Sequence, residues 1–250
     1  GQNVGTNSPR MLHDLQKASE RGVPIVTFNP LRERGLIEFV NPQRPGQMLT
    51  NSPTRISTDY HQVRAGGDIA AIAGLSKALV EMDDRARAAG DRDVLDHAFI
   101  EQHTDGADAY IEWARSLDWD EIEENSGLTR AALEEAAKVY AGAERAILVY
   151  GMGLTQHRLG VENVRMLVNL ALLRGNIGRL GSGICPVRGH SNVQGQRTVG
   201  IADDPGLVPL DRLAEQYGFE PPRERGLDTV GTCKGVIGGS VKALIGLGGN

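Results

Sequence analysis

The apolar positions of this chain alternate between two rhythms. In "SPRMLHDLQKASERG", Met11, Leu12, Leu15 and Ala18 recur at helical spacing and so share one face of an amphipathic helix. Ser8 is placed to cap that helix, Pro9 to take its first position and Gly22 to stop it. "PIVTFN", 24–29, is a continuous apolar and β-branched run, the pattern of a buried strand. "PLRERG" is a basic turn directly after it. Residues 36–67, with Pro42, Pro45 and Pro53, read as irregular and close on "VRAGGD". There Asp68 can cap the long 3.6-period run "IAAIAGLSKALVEMDDRARAAG". Residues 93–143 read as helical throughout: 93–102, a segment carrying Trp113 and Trp119, and "TRAALEEAAKVYAGA" capped by Thr129. "RAILVYGMG", 145–153, is a second strand that runs into a glycine loop, and "GVENVRMLVNLALLRGN" is the helix after it. Residues 178–230 are rich in Gly and Pro and read mostly as loop. "TVGTCKGVIGG" reads as a short helix before a strand, "VKALIGLG".

Strand, glycine-bearing loop and helix thus recur without an antiparallel hairpin signal. The expected fold is α/β, a parallel sheet flanked by helices in a Rossmann-like arrangement. We expect residues 1–190 to form one cofactor-binding α/β domain. Residues 191–250 would be the loop-rich, incomplete start of a second, homologous α/β domain. The opening without Met and the stop at a glycine loop lead us to expect a piece of a longer protein.

Composition narrows the function. The charged fraction is 24% and the net charge −5, which speaks against a nucleic-acid partner. No apolar run reaches the length of a membrane span and no secretory signal pattern opens the chain, so no direct membrane insertion is expected. Cys185 and Cys233 stand far apart without metal-ligand spacing, so no cysteine-built metal site and a reducing, cytoplasmic setting are expected. Glycine is abundant, 32 residues against 4% aromatics, as suits tight turns and close backbone approaches to a nucleotide.

In parallel sheets, ligands bind beyond the carboxyl ends of the strands. Four segments are candidates there: Gly1–Pro9, Asn29–Arg34, Gly151–Gln156 and Gly246–Asn250. Asn3, Thr6, Asn7 and Ser8 crowd the start of the first helix, where N–H groups favour phosphate. Asn29 with Arg32 or Arg34 suits a ribose or purine plus a phosphate. "GMGLTQ" has Gln156 where a dinucleotide fingerprint needs its third glycine. Singly, each loop is explained by capping and turn chemistry. Four at equivalent positions favour a large, dinucleotide-like ligand. The stretch "CPVRGHSNVQG", 185–195, adds Arg188, His190, Ser191, Asn192 and Gln194 between turn formers, a dense set of ligand-reading side chains.

The blocks "GQNVGTNSP" (family form G-x-N-x-x-x-x-H-P), "TFNP" (family form D-P-R), "RAGGDIA", "YGMGLTQHRLGVENVRMLVNLALLRGNIG" and "PVRGHSNVQG" occur in this order. In these blocks the chain resembles the catalytic subunit of bis-molybdopterin guanine dinucleotide oxidoreductases, in their formate dehydrogenase-like branch. The resemblance implies a pterin cofactor with molybdenum or tungsten, a small substrate such as formate, and an electron-transfer subunit. It implies a cofactor cradle formed by Gly1, Asn3, Thr6, Asn7, Ser8, Asn29, Pro30, Arg32, Arg34, Gly66, Asp68, Gly151, Met152, Gly153, Gln156, Gly189, Asn192, Gln194, Gly246, Gly248 and Asn250. Arg188 and His190 would meet the substrate: the guanidinium fork matches a carboxylate, and the imidazole can orient substrate or accept a proton. No metal ligand is expected within these residues. The ligand to molybdenum and the iron–sulfur cysteines belong to the family's amino-terminal part.

The chain departs from the family at four points: Ser8 stands for the usual His, Asn29 for Asp, Leu31 intervenes before Arg32, and His190 replaces the Gln usual in formate dehydrogenases. Two other functions compete. A thiamine diphosphate enzyme also uses strand–glycine-loop units but needs a G-D-G…N motif, which the sequence lacks. A non-catalytic relative would bind the pterin, or a partner alone.

Overall fold

The computed structural model describes residues 3–187, 193–202 and 204–245. The chain divides into two compact units, Gly1–Gly189 and His190–Asn250. The first opens with α1 (Val4–Asn7) and α2 (Met11–Glu20), then β1 (Val26–Phe28), α3 (Arg34–Ile37), β2 (Glu38–Phe39), α4 (Pro45–Thr50), β3 (Thr54–Arg55) and β4 (Asp59–His61). A helical block follows: α5 (Asp68–Ala89), α6 (His97–His103), α7 (Ala107–Ser116), α8 (Trp119–Ser126) and α9 (Arg130–Gly142). The unit closes with β5 (Ile147–Tyr150), α10 (Met152–Thr155), α11 (Gly160–Leu173) and β6 (Gly183–Pro186).

The architecture is mixed α/β. Among the described residues the strands form three two-stranded sheets, whereas the sequence led us to expect one sheet: β1–β4 and β5–β6 are parallel and β2–β3 is antiparallel. Short stretches of 36–67, expected to be irregular, are therefore paired. Strands of two or three residues are too short for a periodic pattern to reveal them. β6 and the later helices inside 178–230 were also read as loop; in α13 the helical spacing of Leu210, Leu213, Ala214 and Tyr217 was the signal that could have found it.

The core is built around α5. Its residues Ala71–Val80 are buried on all sides against α7, α8, α9 and α11, with Leu79, Leu133 and Ala137 fully enclosed. Val26 and Phe28 of β1 pack on this cluster. A smaller cluster of Val4, Leu12 and Leu36, joined by Met11, Leu15 and Tyr60, covers the opposite face of β1–β4. Here α2 also buries a polar residue. Gln16 donates to Thr54 Oγ1 (2.8 Å) and accepts from Asn41 Nδ2 (2.8 Å), so its burial costs little.

Several caps differ from expectation. The second helix begins at Met11, whose N–H bonds the Ser8 carbonyl at 2.9 Å, so Ser8 and Pro9 form a turn ahead of the helix. Gly67 holds the cap of α5 and Asp68 is its first residue. Residues 93–96 stay outside α6 because the Asp83 carboxylate takes the N–H groups of Val94 and Leu95 at 2.8 and 2.9 Å. Asp96 and Thr129 cap α6 and α9 through their side chains.

The second unit carries α12 (Val193–Thr198), a 3₁₀ turn (Pro205–Leu207), α13 (Leu210–Tyr217) and α14 (Thr229–Gly238). The last is the short helix expected there, capped by Asp228 on the Gly231 N–H. The expected strand after it is not formed over 241–245, and 246–250 lie outside the described residues. Leu227, Val230, Ile237, Leu244 and Ile245 of this unit are exposed.

Candidate cofactor site

Two of the four candidate segments come together. Asn3 accepts from the Thr6 N–H (3.2 Å) and donates through Nδ2 to Glu33 Oε2 (2.8 Å), which ties α1 to the segment after β1. The backbones touch where Gly5 meets Gly35: a Cβ on Gly35 would stand 2.9 Å from the Gly5 Cα. Only glycine allows that approach. Between them lies an open depression of about 340 Å³ lined by Asn3, Gly5, Thr6, Glu33, Arg34, Gly35, Glu38 and Phe39.

Tyr60, which sequence reasoning missed, holds this segment. Its hydroxyl accepts from Asn29 Nδ2 (3.2 Å) and the Glu33 N–H (3.1 Å) and donates to the Leu31 carbonyl (2.5 Å). Asn29 is buried, and its Nδ2 also donates to Leu31 O at 2.6 Å, so its amide shapes the loop. Pro30 is exposed and accepts weakly from Gln62. Arg32 lies over the Tyr60 ring at 5.9 Å, and Arg34, largely exposed, pairs with Glu38 at 3.3 Å. The N–H groups of Thr6 and Asn7 are spent on Asn3 and that of Ser8 on Val4.

A third segment, after β5, forms the short helix α10, in place of an open glycine loop. Gly151 is buried, while Gly153 and Gln156 are exposed. The Gln156 N–H closes the turn on Met152 O at 2.8 Å. The buried Asn163 of α11 anchors the segment by donating to Leu154 O at 2.8 Å and hydrogen-bonding His157. Its Oδ1 has no partner among the described residues. His157 stands 4.0 Å from Asp68. Gly66 precedes Asp68 with a φ of +83°, and burial pushes the Asp68 carboxyl above its ordinary range.

Gly1, Arg188, Gly189, His190, Asn192, Gly246, Gly248 and Asn250 lie outside the described residues. Gln194 falls in α12, and its side chain is also outside them. One grouping with ligand chemistry sits elsewhere: oxygen and nitrogen atoms of Asp83, Asp93 and His97 lie within 4.8 Å of one another. Asp83 is already committed there, to two backbone N–H groups and to His97 at 2.8 Å. We read it as a structural hydrogen-bonded pair. The exposed cysteines Cys185 and Cys233 are free. No helix among the described residues is long and apolar enough to cross a membrane.

Comparison with known proteins decides the family. The molybdopterin oxidoreductase domain model matches residues 31–220, most of the chain. The chain belongs to the molybdopterin oxidoreductase family. Within it, the chain is 49% identical over its whole length to the protein YdeP of Escherichia coli K12 and covers 33% of that protein. It is 30% identical over 202 residues to formate dehydrogenase H of the same organism, covering 78% of this chain and 26% of that protein. Acetylene hydratase from Pelobacter acetylenicus shares the fold over 68% of this chain and 20% of that one, with a TM-score of 0.54 at 16% identity. The chain thus spans about a third of the length of its curated relatives. Membership implies a molybdopterin cofactor with molybdenum or tungsten and oxidoreductase chemistry, and it leaves the thiamine diphosphate reading without support.

The residues present fit part of such a molybdopterin group. The depression offers the Glu33 and Glu38 carboxylates as acceptors beside the Arg34 cation. With Arg34 paired to Glu38 and one oxygen of Glu33 held by Asn3, the remaining carboxylate oxygens can accept from N–H groups of a bound ligand. Its volume of about 340 Å³ suits a portion of such a cofactor, not the whole.

Proposed function

We propose that the full-length protein is a formate dehydrogenase-like oxidoreductase. It would hold molybdopterin in its bis-guanine dinucleotide form and oxidise a small carboxylate substrate in the cytoplasm, with an iron–sulfur cluster and an electron-transfer subunit receiving the electrons. When bound, the cofactor supplies the two-electron redox chemistry; the protein supplies orientation and electrostatics. The convergence of 3–8 and 29–35 on one depression supports the reading, because the second of these segments leaves the carboxyl end of β1, where ligands of parallel α/β sheets bind. Asn3, Arg34 and Glu33 bind and orient the nucleotide end. Asn29 and Tyr60 keep that segment in shape. Arg188 holds the substrate carboxylate, and His190 orients it or accepts its proton. The likeness to formate dehydrogenase H supports the choice of substrate class. The 250 residues alone, lacking the metal ligand, are expected to be inactive.

The test uses the full-length protein matured with its cofactor. Metal and pterin analysis should find molybdenum or tungsten with guanine nucleotide, and formate should reduce an artificial dye. Arg188→Lys should raise KM for formate with cofactor content unchanged, since it keeps the charge but loses the fork. Matured protein without metal, or with metal but no turnover of formate or another small carboxylate, refutes the proposal.

A further inference from the structure

The buried amide of Asn163 on α11 makes a demand on the segment before it. Its Nδ2 faces two groups, the Leu154 carbonyl at 2.8 Å and His157 Nε2 at 2.5 Å, and its Oδ1 has no partner among the described residues. Leu154 fixes the orientation of the amide. A carbonyl oxygen only accepts, so the reverse orientation would set two oxygens against each other. One N–H of the amide goes to Leu154, and the other meets His157 Nε2, which must then accept. The imidazole is therefore neutral and carries its hydrogen on Nδ1.

A proton added to His157 breaks this arrangement, because Nε2 becomes a donor that faces a donor. Turning the amide over would offer Oδ1 to the imidazolium but set it against the Leu154 oxygen. One amide cannot serve a cationic His157 and the Leu154 carbonyl together. Another acceptor stands close by. The partly buried Asp68 carboxylate, at the first residue of α5, lies 4.0 Å from the same nitrogen. Among the described residues it is the one acidic group within that distance of His157. Of the other charged groups on these elements, Arg64 and Arg158 are exposed, and Glu162 and Arg165 of α11 pair with each other at 3.7 Å on the exposed side. Burial raises the Asp68 carboxyl, and a cation beside it offsets that penalty.

We propose that His157 is a proton-responsive positioning residue: neutral, it holds the Asn163 amide and so fixes the 151–156 segment; protonated, it passes to Asp68 and loosens that segment. The Leu154 carbonyl then keeps a single bond to an amide no longer fixed from its other side. Gly151, Met152, Gly153 and Gln156 lie on this segment, so the same proton weakens the grip on the cofactor, a consequence that rests on their reading as part of its cradle.

The test uses the full-length protein without cofactor, so its outcome is separate from that of the proposed activity. In protein labelled with nitrogen-15 histidine, the His157 ring is assigned by its loss in His157→Gln. At about pH 8, above the range in which imidazoles titrate, the hydrogen should sit on Nδ1 and the lone pair on Nε2. The Gln156 amide closes α10 on Met152 O and reports on the segment. Between about pH 8 and about pH 5.5 its protection, corrected for intrinsic exchange, should fall roughly threefold to tenfold, the loss of about one hydrogen bond. In His157→Gln the side-chain oxygen can accept from Asn163 at every pH, so protection should match the parent at the higher pH and stay level on acidification. A hydrogen on Nε2 at the higher pH, level protection in the parent, or a fall that persists in His157→Gln each overturns the proposal.

Discussion

Tyr60→Phe removes one hydroxyl and leaves the ring. The hydroxyl makes three hydrogen bonds, to Asn29 Nδ2, the Glu33 N–H and the Leu31 carbonyl. The loss is smaller than three bonds suggest. Leu31 O keeps Asn29 Nδ2 at 2.6 Å, and the Glu33 N–H keeps a bent bond to Leu31 O at 3.1 Å. Glu33 is half-buried, so water can replace part of what is lost. With a net worth of about 0.5–1.5 kcal/mol per bond, we expect a destabilisation of about 1 kcal/mol. In urea unfolding it should appear as a lower midpoint with an unchanged m-value. The Glu33 amide should exchange faster, and because Glu33 holds Asn3, the matured protein should retain less cofactor. Tyr60→Leu should cost more, since it also removes the ring beneath Arg32. A loss below about 0.3 kcal/mol with unchanged Glu33 exchange would refute the role given to the hydroxyl.

Two further outcomes follow from the loops around the site. A Cβ on Gly160 would stand 2.2 Å from the Thr155 carbonyl oxygen, so Gly160→Ala should displace α10 and destabilise by about 2 kcal/mol or more, read by thermal unfolding. For Asp68 the sign is set by burial, which raises its folded-state pKa. The folded state then holds the proton more tightly, so this group's contribution to stability falls as pH rises from the ordinary carboxylate value through the raised one. Asp68→Asn should flatten that fall and leave the protein more stable at neutral pH than the parent, with little difference below the ordinary carboxylate value; equal stability across the whole range would show that the carboxyl carries no burial penalty.

The helices were legible because they bury stripes. The α5 and α11 runs, the Thr129 cap and the Gly22 stop rest on interactions within a few residues, and local spacing records such interactions. The family was legible for a similar reason, since its signature blocks are continuous in the chain. The short strands β2, β3, β4 and β6 were not legible, because two to four residues gain their order from a distant partner and leave no period behind. Tyr60 escaped notice because it acts on residues about thirty positions away. The long-range packing that brings Gly5 against Gly35 creates the depression, and neither glycine is distinctive in its own neighbourhood. The same holds for Asp68. Its letter suggested a helix cap, and only the packing of the β5–α11 segment against the start of α5 made it a buried carboxyl beside His157. Local chemistry thus determined which segments are helical and which are rich in ligand-binding groups. Tertiary packing alone decided which of those groups meet, because burial and distance are properties of the folded chain.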